Sequence, residues 1–153
     1  MNEYMKYACE CAHHGISNKE GGPFGAVIVD SLGNIISRGN NRVLIDNDPT
    51  AHAEIVAIRE ASKALNNYDL SNLILYTTCE PCPMCLSAII WANIKVVYYG
   101  MTREDAKNIG FRDEAIYNYL KDRDDKLISL NQIDVEGCKN IFDEYLKSHQ
   151  ETY

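Results

Sequence analysis

Pro49-Thr50-Ala51-His52-Ala53-Glu54, separated by 26 residues from Pro81-Cys82-Pro83-Met84-Cys85, decides how this chain is read. The two stretches supply one imidazole, two thiols and one further carboxylate. Three good ligands around a tetrahedral zinc leave one position open, the arrangement of a catalytic ion; a structural site is closed by a fourth protein ligand. Cys82 and Cys85 are three apart, so a helix turns both sulfurs to one side. Pro81 and Pro83 bracket a helix start, where free N–H groups and the positive dipole end lower a thiol pKa and favour metal binding. His52 and Glu54 lie about 200° apart around an ideal helix. At a helix start both can still reach an ion near the axis end, so the expected geometry is two helix N-termini meeting at one zinc.

Charge counting separates the roles. Zinc contributes +2, two thiolates −2 and a neutral His52 nothing, so the ligand shell sums to zero and acidifies a bound water less than three histidines would. A nearby group must take the proton, and Glu54 is the available carboxylate. Two plainer readings compete. Cys79, three residues before Cys82, would make the site a closed structural zinc if it were the fourth ligand. With no metal at all, His52, Cys82 and Cys85 would be core residues. A structural site, however, has no need of a carboxylate two residues from a ligand.

Outward from these stretches the chain alternates helix and strand signals. Met5, Ala8, Cys9, Ala12 and Ile16 fall at helical spacing. Gly21-Gly22-Pro23 is a turn, and Phe24 to Asp30 and Asn34 to Gly39 read as a hairpin. Asp48-Pro49 suits a helix start, with Asp as N-cap and Pro at the first position; Ile55, Ile58, Ala61 and Leu65 continue it. Leu73 to Thr77 reads as a strand, Pro83 to Asn93 as a helix and Lys95 to Tyr99 as another buried strand. Glu114 to Lys121 and Gly137 to Ser148 are helical, the latter with Cys138, Ile141, Phe142, Tyr145 and Leu146 on one face. The order predicts an α/β fold: one mixed sheet of about five strands with helices on both faces.

The 153 residues fit a single domain with a substantial core. No apolar run approaches the 18 or so residues of a membrane span. The first residues lack the basic-then-apolar order of a signal peptide, so a cytoplasmic protein is expected. Six cysteines in a chain of this size and context read as reduced thiols, two of them on metal, and not as a disulfide scaffold. The net charge of −7 argues against nucleic acid as a partner. From Gly110 to Tyr153 there are 6 Lys/Arg against 10 Asp/Glu, so the C-terminal third is acidic too.

The His-x-Glu and Pro-Cys-x-x-Cys pair is the signature of zinc-dependent deaminases. Gly21-Gly22-Pro23-Phe24-Gly25-Ala26-Val27, Asn40-Asn41, Asn47-Asp48-Pro49-Thr50-Ala51-His52-Ala53-Glu54, Cys79-Glu80-Pro81-Cys82-Pro83-Met84-Cys85, Gly110-Phe111 with Asp113, and the Tyr153 terminus together resemble the bacterial-type guanine deaminases of the cytidine deaminase superfamily. The resemblance covers nearly the whole chain. It implies a three-layer α/β/α fold and hydrolysis of guanine to xanthine and ammonia, with zinc on His52, Cys82 and Cys85. It also implies a homodimer whose C-terminal segment, about 137–153, contacts or is exchanged with the partner. Hydroxide on the metal would attack C2 of the base, with Glu54 carrying protons and Asp113 as a second proton carrier near the leaving amine. Phe24, Asn41, Ala53, Trp91 and Tyr153 would contact the substrate, Tyr153 closing the site.

Several of these residues have ordinary readings as well. Phe24 could stack on a base or pack in the core. Asn41 offers a donor and an acceptor to a base edge, but is equally a turn former. Trp91 lies two turns beyond the cysteines, which favours core or subunit contact. Asp113 alone would be a loop carboxylate and Tyr153 a frayed end. His13 and His14 lie away from every motif and read as structural or solvent-facing. The rival with the same metal residues is a tRNA adenosine deaminase, which this acidic chain suits poorly; a free-cytosine deaminase is a weaker rival.

Overall fold

A computed structural model describes residues 2–123, 126–148 and 151–153. Its residues group into two compact units, the first ending at Tyr117 and the second running from Asn118 to Tyr153. In chain order the elements are α1 (Glu3–Ser17), β1 (Gly25–Val29), β2 (Ile35–Asn40), α2 (Val43–Asp46), α3 (Ala53–Leu65), β3 (Ile74–Cys79), α4 (Pro83–Trp91), β4 (Val96–Met101), α5 (Arg103–Asn108), α6 (Asp113–Asp122) and α7 (Val135–Lys147).

The sheet has the order β2-β1-β3-β4. β1 pairs antiparallel with both β2 and β3, and β3 pairs parallel with β4. All five residues of β1 are buried, as expected of a central strand covered on both faces. Alternation assigns the faces. Val27, Val29 and Tyr76 pack with Ala8 of α1. Ala26, Ile28 and Leu75 pack with Ala53, Ala57 and Ala61 of α3 and Ile89 of α4. The layers are therefore helix, sheet, helices. Three alanines along α3 let that helix lie close to the sheet. Gly39 makes the approach closer still: a Cβ there would stand 2.5 Å from the Ala53 carbonyl oxygen.

Three sequence expectations are corrected. The described residues contain four strands, not about five. The strand read as buried, β4, has its side chains mostly exposed; it lies at the sheet edge beside β3 alone, so its apolar composition is not a mark of burial. Asp48-Pro49 does not start a helix. The Asp48 carboxylate instead accepts the Thr50 N–H (2.8 Å) and hydroxyl (2.7 Å), closing an Asx turn. The chain turns at Pro49-Thr50 and is extended at His52, before α3 begins at Ala53. Pattern reading also passed over α2 and α5, each too short to show a period.

In the second unit α7 forms close to its expected bounds. Ile141, Phe142 and Leu146 are exposed on it.

Candidate active site

Two helix starts build the metal site. His52 is the N-cap of α3 and Cys82 the N-cap of α4, and neither side chain caps its own helix. Both are thereby free for another task. Pro83 holds the first position of α4, which brings Cys85 round to the third. His52 Nδ1 lies 3.5 Å from each of the two sulfurs. The three donor atoms are all within 4.8 Å of one another.

That spacing can be tested against zinc. With Zn–S near 2.3 Å and Zn–N near 2.05 Å, a tetrahedral angle separates sulfur from nitrogen by about 3.5 Å. The donor set and its spacing both fit zinc with one position left for water or substrate. Cys79 is not part of the set: its thiol donates to the Thr102 carbonyl at 3.6 Å. Burial pushes that thiol up to about 11, so it stays neutral. The closed four-ligand reading therefore fails on geometry.

Without metal, the Cys82 thiol is held low, first by the hydrogen bond from Cys85 and then by that from His52. Cys85 is pushed up, first by its contact with the Cys82 sulfur and then by burial. His52 is raised, chiefly through its bond to Cys82. These groups share protons that a divalent cation would displace.

Glu54, in the first turn of α3, is only 6 % exposed. One carboxylate oxygen accepts the Thr77 hydroxyl at 3.2 Å; the other accepts the Cys85 thiol at 3.5 Å. Burial raises its carboxyl above the ordinary range. Its oxygens are outside the metal-donor set, which leaves the carboxylate beside the ion and available for proton transfer. Asp113, at the first position of α6, is raised too, mainly by burial and then by the Cys82 charge.

A cavity gathers Phe24, Asn41, His52, Glu54, Cys82 and Asp113 with Cys79, Glu80 and Phe111. It continues into a wider mouth of about 590 Å³, where Gly21, Gly22, Leu44, Met84, Phe111 and Ile116 take part. The volume is within the range of small-molecule sites. Phe24 and Phe111 meet edge to face, with ring centres 4.7 Å apart. Asn41 is 3 % exposed, and its backbone N–H donates to the Phe24 carbonyl at 3.0 Å. Its side-chain Oδ1 accepts the Val43 N–H at 3.1 Å. That bond engages one of the two acceptor positions of the amide oxygen.

The structure does not bring every candidate to this cavity. Ala53 is fully buried in the core beneath α3. Trp91 ends α4 with 65 % of its surface exposed and is not a lining residue. Tyr153 belongs to the second unit and is 82 % exposed. Thr77, Phe111 and Glu80 were missed. Thr77 reads as one more β-former in an apolar strand, and only its pairing with Glu54 across the fold distinguishes it.

An open three-donor metal site beside a buried carboxylate, under a three-layer fold, defines a zinc-dependent hydrolytic deaminase. Residues 1–101 match the family described as the cytidine and deoxycytidylate deaminase zinc-binding region, and the chain belongs to it. A guanine deaminase of Bacillus subtilis is 49 % identical over 131 residues, which is 85 % of this chain and 83 % of the relative. The X-ray structure of guanine deaminase from Bacillus subtilis superposes with a TM-score of 0.92 at 43 % identity, covering 100 % of this chain and 99 % of that one. A tRNA-specific adenosine deaminase of Haemophilus influenzae is 44 % identical over 115 residues, covering 75 % of this chain and 66 % of the relative.

Proposed function

We propose that this protein hydrolyses guanine to xanthine and ammonia. The observation that carries the reading is the cavity itself: the metal donors, Glu54, Asp113, an aromatic pair and Asn41 converge on a space suited to a planar base. The likeness to the Bacillus subtilis guanine deaminase over nearly the whole chain supports the choice of base. The net charge of −7 argues against a tRNA substrate.

Zinc on His52, Cys82 and Cys85 supplies a Lewis acid that lowers the pKa of a water at its open position. The rest falls to side chains. Glu54, oriented by Thr77, takes a proton from the attacking water and delivers it to N3 as the C2–O bond forms. Asp113, its carboxyl raised by burial, supplies the proton that the exocyclic amine needs as the C2–N bond breaks and ammonia departs. Glu54, free again after protonating N3, takes the proton of the C2 hydroxyl as it becomes the carbonyl. Glu54 then returns its proton and Asp113 regains one through exchange with water. Phe24 and Phe111 hold the ring plane, and the Asn41 amide donates to an acceptor on its edge.

We further propose a cytoplasmic homodimer acting in purine breakdown or salvage. Its C-terminal segment, about 137–153, contacts or exchanges with the partner, and Tyr153 closes a site. The exposed apolar residues of α7 support a partner there. Among the described residues no helix is long and apolar enough to cross a membrane.

The test is ammonia release by the zinc-loaded protein from guanine, adenine, cytosine and tRNA. Guanine is expected to be consumed to xanthine. Release from tRNA and none from guanine would shift the function to adenosine deamination. Release from cytosine alone would make it a cytosine deaminase.

A further inference from the structure

Asp113 lines the inner cavity, yet its carboxylate accepts no hydrogen bond among the described residues. Its position must therefore come from the first turns of α6. Of residues 113–117, only Asp113 and Tyr117 are not exposed. They are four apart and so share one helix face.

Tyr117 is held at its hydroxyl and over its ring. Its hydroxyl donates to the Pro81 carbonyl at 3.2 Å, and Pro81 directly precedes the metal donor Cys82. The Arg103 guanidinium lies over its ring, 4.4 Å from the centroid. The Arg103 backbone N–H donates to the Glu80 carboxylate at 3.0 Å, and the Glu80 N–H donates to the Met101 carbonyl at 2.8 Å. Glu80, Arg103, Tyr117 and Pro81 thus form a closed ring of contacts that starts and ends on the loop carrying Cys82.

We propose that Tyr117 is a positioning residue: through Pro81 and Arg103 it clamps the start of α6 to the metal loop and so sets where the Asp113 carboxylate stands over the substrate. The role rests on reading Asp113 as a proton carrier. Tyr117 touches no reacting atom; it fixes a distance that a free helix start would not keep. Misplacement of a reacting group by about 1 Å costs as much as a hundredfold in rate.

Tyr117→Phe keeps the ring under Arg103 and removes the hydroxyl that bonds Pro81. It should lower kcat about tenfold while KM stays within about twofold and zinc content is unchanged. Tyr117→Ala should lose more. In an Asp113→Asn background, Tyr117→Phe should cost nothing further, because the group it positions is gone. Amide exchange over residues 113–117 should speed up in both variants, a reading that needs no substrate. Wild-type kcat in Tyr117→Phe, an equal loss in the Asp113→Asn background, or unchanged exchange would each overturn the proposal. If the wild type deaminates another heterocycle and not guanine, the guanine reading fails, and the same variants test Tyr117 on that heterocycle.

Discussion

Glu54 carries the proposed proton transfer, and its surroundings suit a carboxylate to that task. Buried and carrying a raised pKa, it holds a proton more readily than a surface glutamate. Glu54→Gln should reduce kcat by about 10² to 10⁴, with zinc content by metal analysis unchanged because Glu54 is not a ligand. Full activity in that variant would remove it from the mechanism. Thr77→Val keeps volume and burial but deletes the hydroxyl that donates to the Glu54 carboxylate. A hydrogen bond to a charged group is worth about 1.5–3 kcal/mol, so kcat should fall about tenfold or more. Gly21 sets a different limit. A Cβ there would stand 2.1 Å from Asn41 Oδ1 and 2.6 Å from its backbone oxygen. Gly21→Ala must displace Asn41, and kcat/KM for guanine should drop while zinc is retained. Glu54 was legible from charge counting. Thr77 and Gly21 were not, because their importance is a distance to a residue far along the chain.

At the scale of elements, helix starts do most of the positioning. His52 and Cys82 occupy N-cap positions, so the metal sits where two helices begin. That geometry was readable from Pro81 and Pro83 at α4. At α3 the nearby Asp48-Pro49 signal pointed four residues too early, because Asp48 satisfies the backbone and hydroxyl of Thr50 instead. Local signals are ambiguous when one side chain can serve either a cap or a turn. The short α5 carries a capping box that pattern reading passed over: Thr102 accepts from the Asp105 N–H and Asp105 accepts from Thr102. The hydrogen bond from the Thr102 hydroxyl, then that from its backbone N–H, holds the Asp105 carboxyl below its usual value. A depressed folded-state pKa stabilises the helix above the unfolded value, about 3.9. The contribution is lost as pH falls through the lower folded value. An NMR titration should therefore find the Asp105 midpoint low, and Thr102→Ala should move it back up. A normal midpoint in the parent protein would contradict the cap.

At the scale of the molecule, zinc binding and folding are coupled. A metal held by groups from two helices binds the folded chain and not the unfolded one, so it stabilises by mass action. At a hundredfold excess over Kd that is about 2.7 kcal/mol, or roughly 5–10 °C in Tm for a chain of this size. Chelation should lower Tm by that order and abolish ammonia release, and added zinc should restore both. An unchanged Tm after verified metal loss would show that zinc does not bind the folded chain in preference to the unfolded one. The second unit makes its own prediction. Replacing Ile141 and Phe142 by Asp should weaken self-association in light scattering, and deleting 151–153 should impair turnover without lowering Tm. If neither changes, the proposed roles of α7 and Tyr153 fail.

The metal donors, the carboxylate beside them and the alternation of helices and strands are written in local spacing, and the sequence alone was enough to find them. Local spacing works there because a helix start and a strand each express a short period. The exclusion of Cys79, the burial of Asn41 against Val43, the hydroxyl behind Glu54 and the contacts of Tyr117 came only from the tertiary structure. Each is a contact between residues 20 or more apart in sequence or a choice between two local partners, and only the folded chain sets such distances.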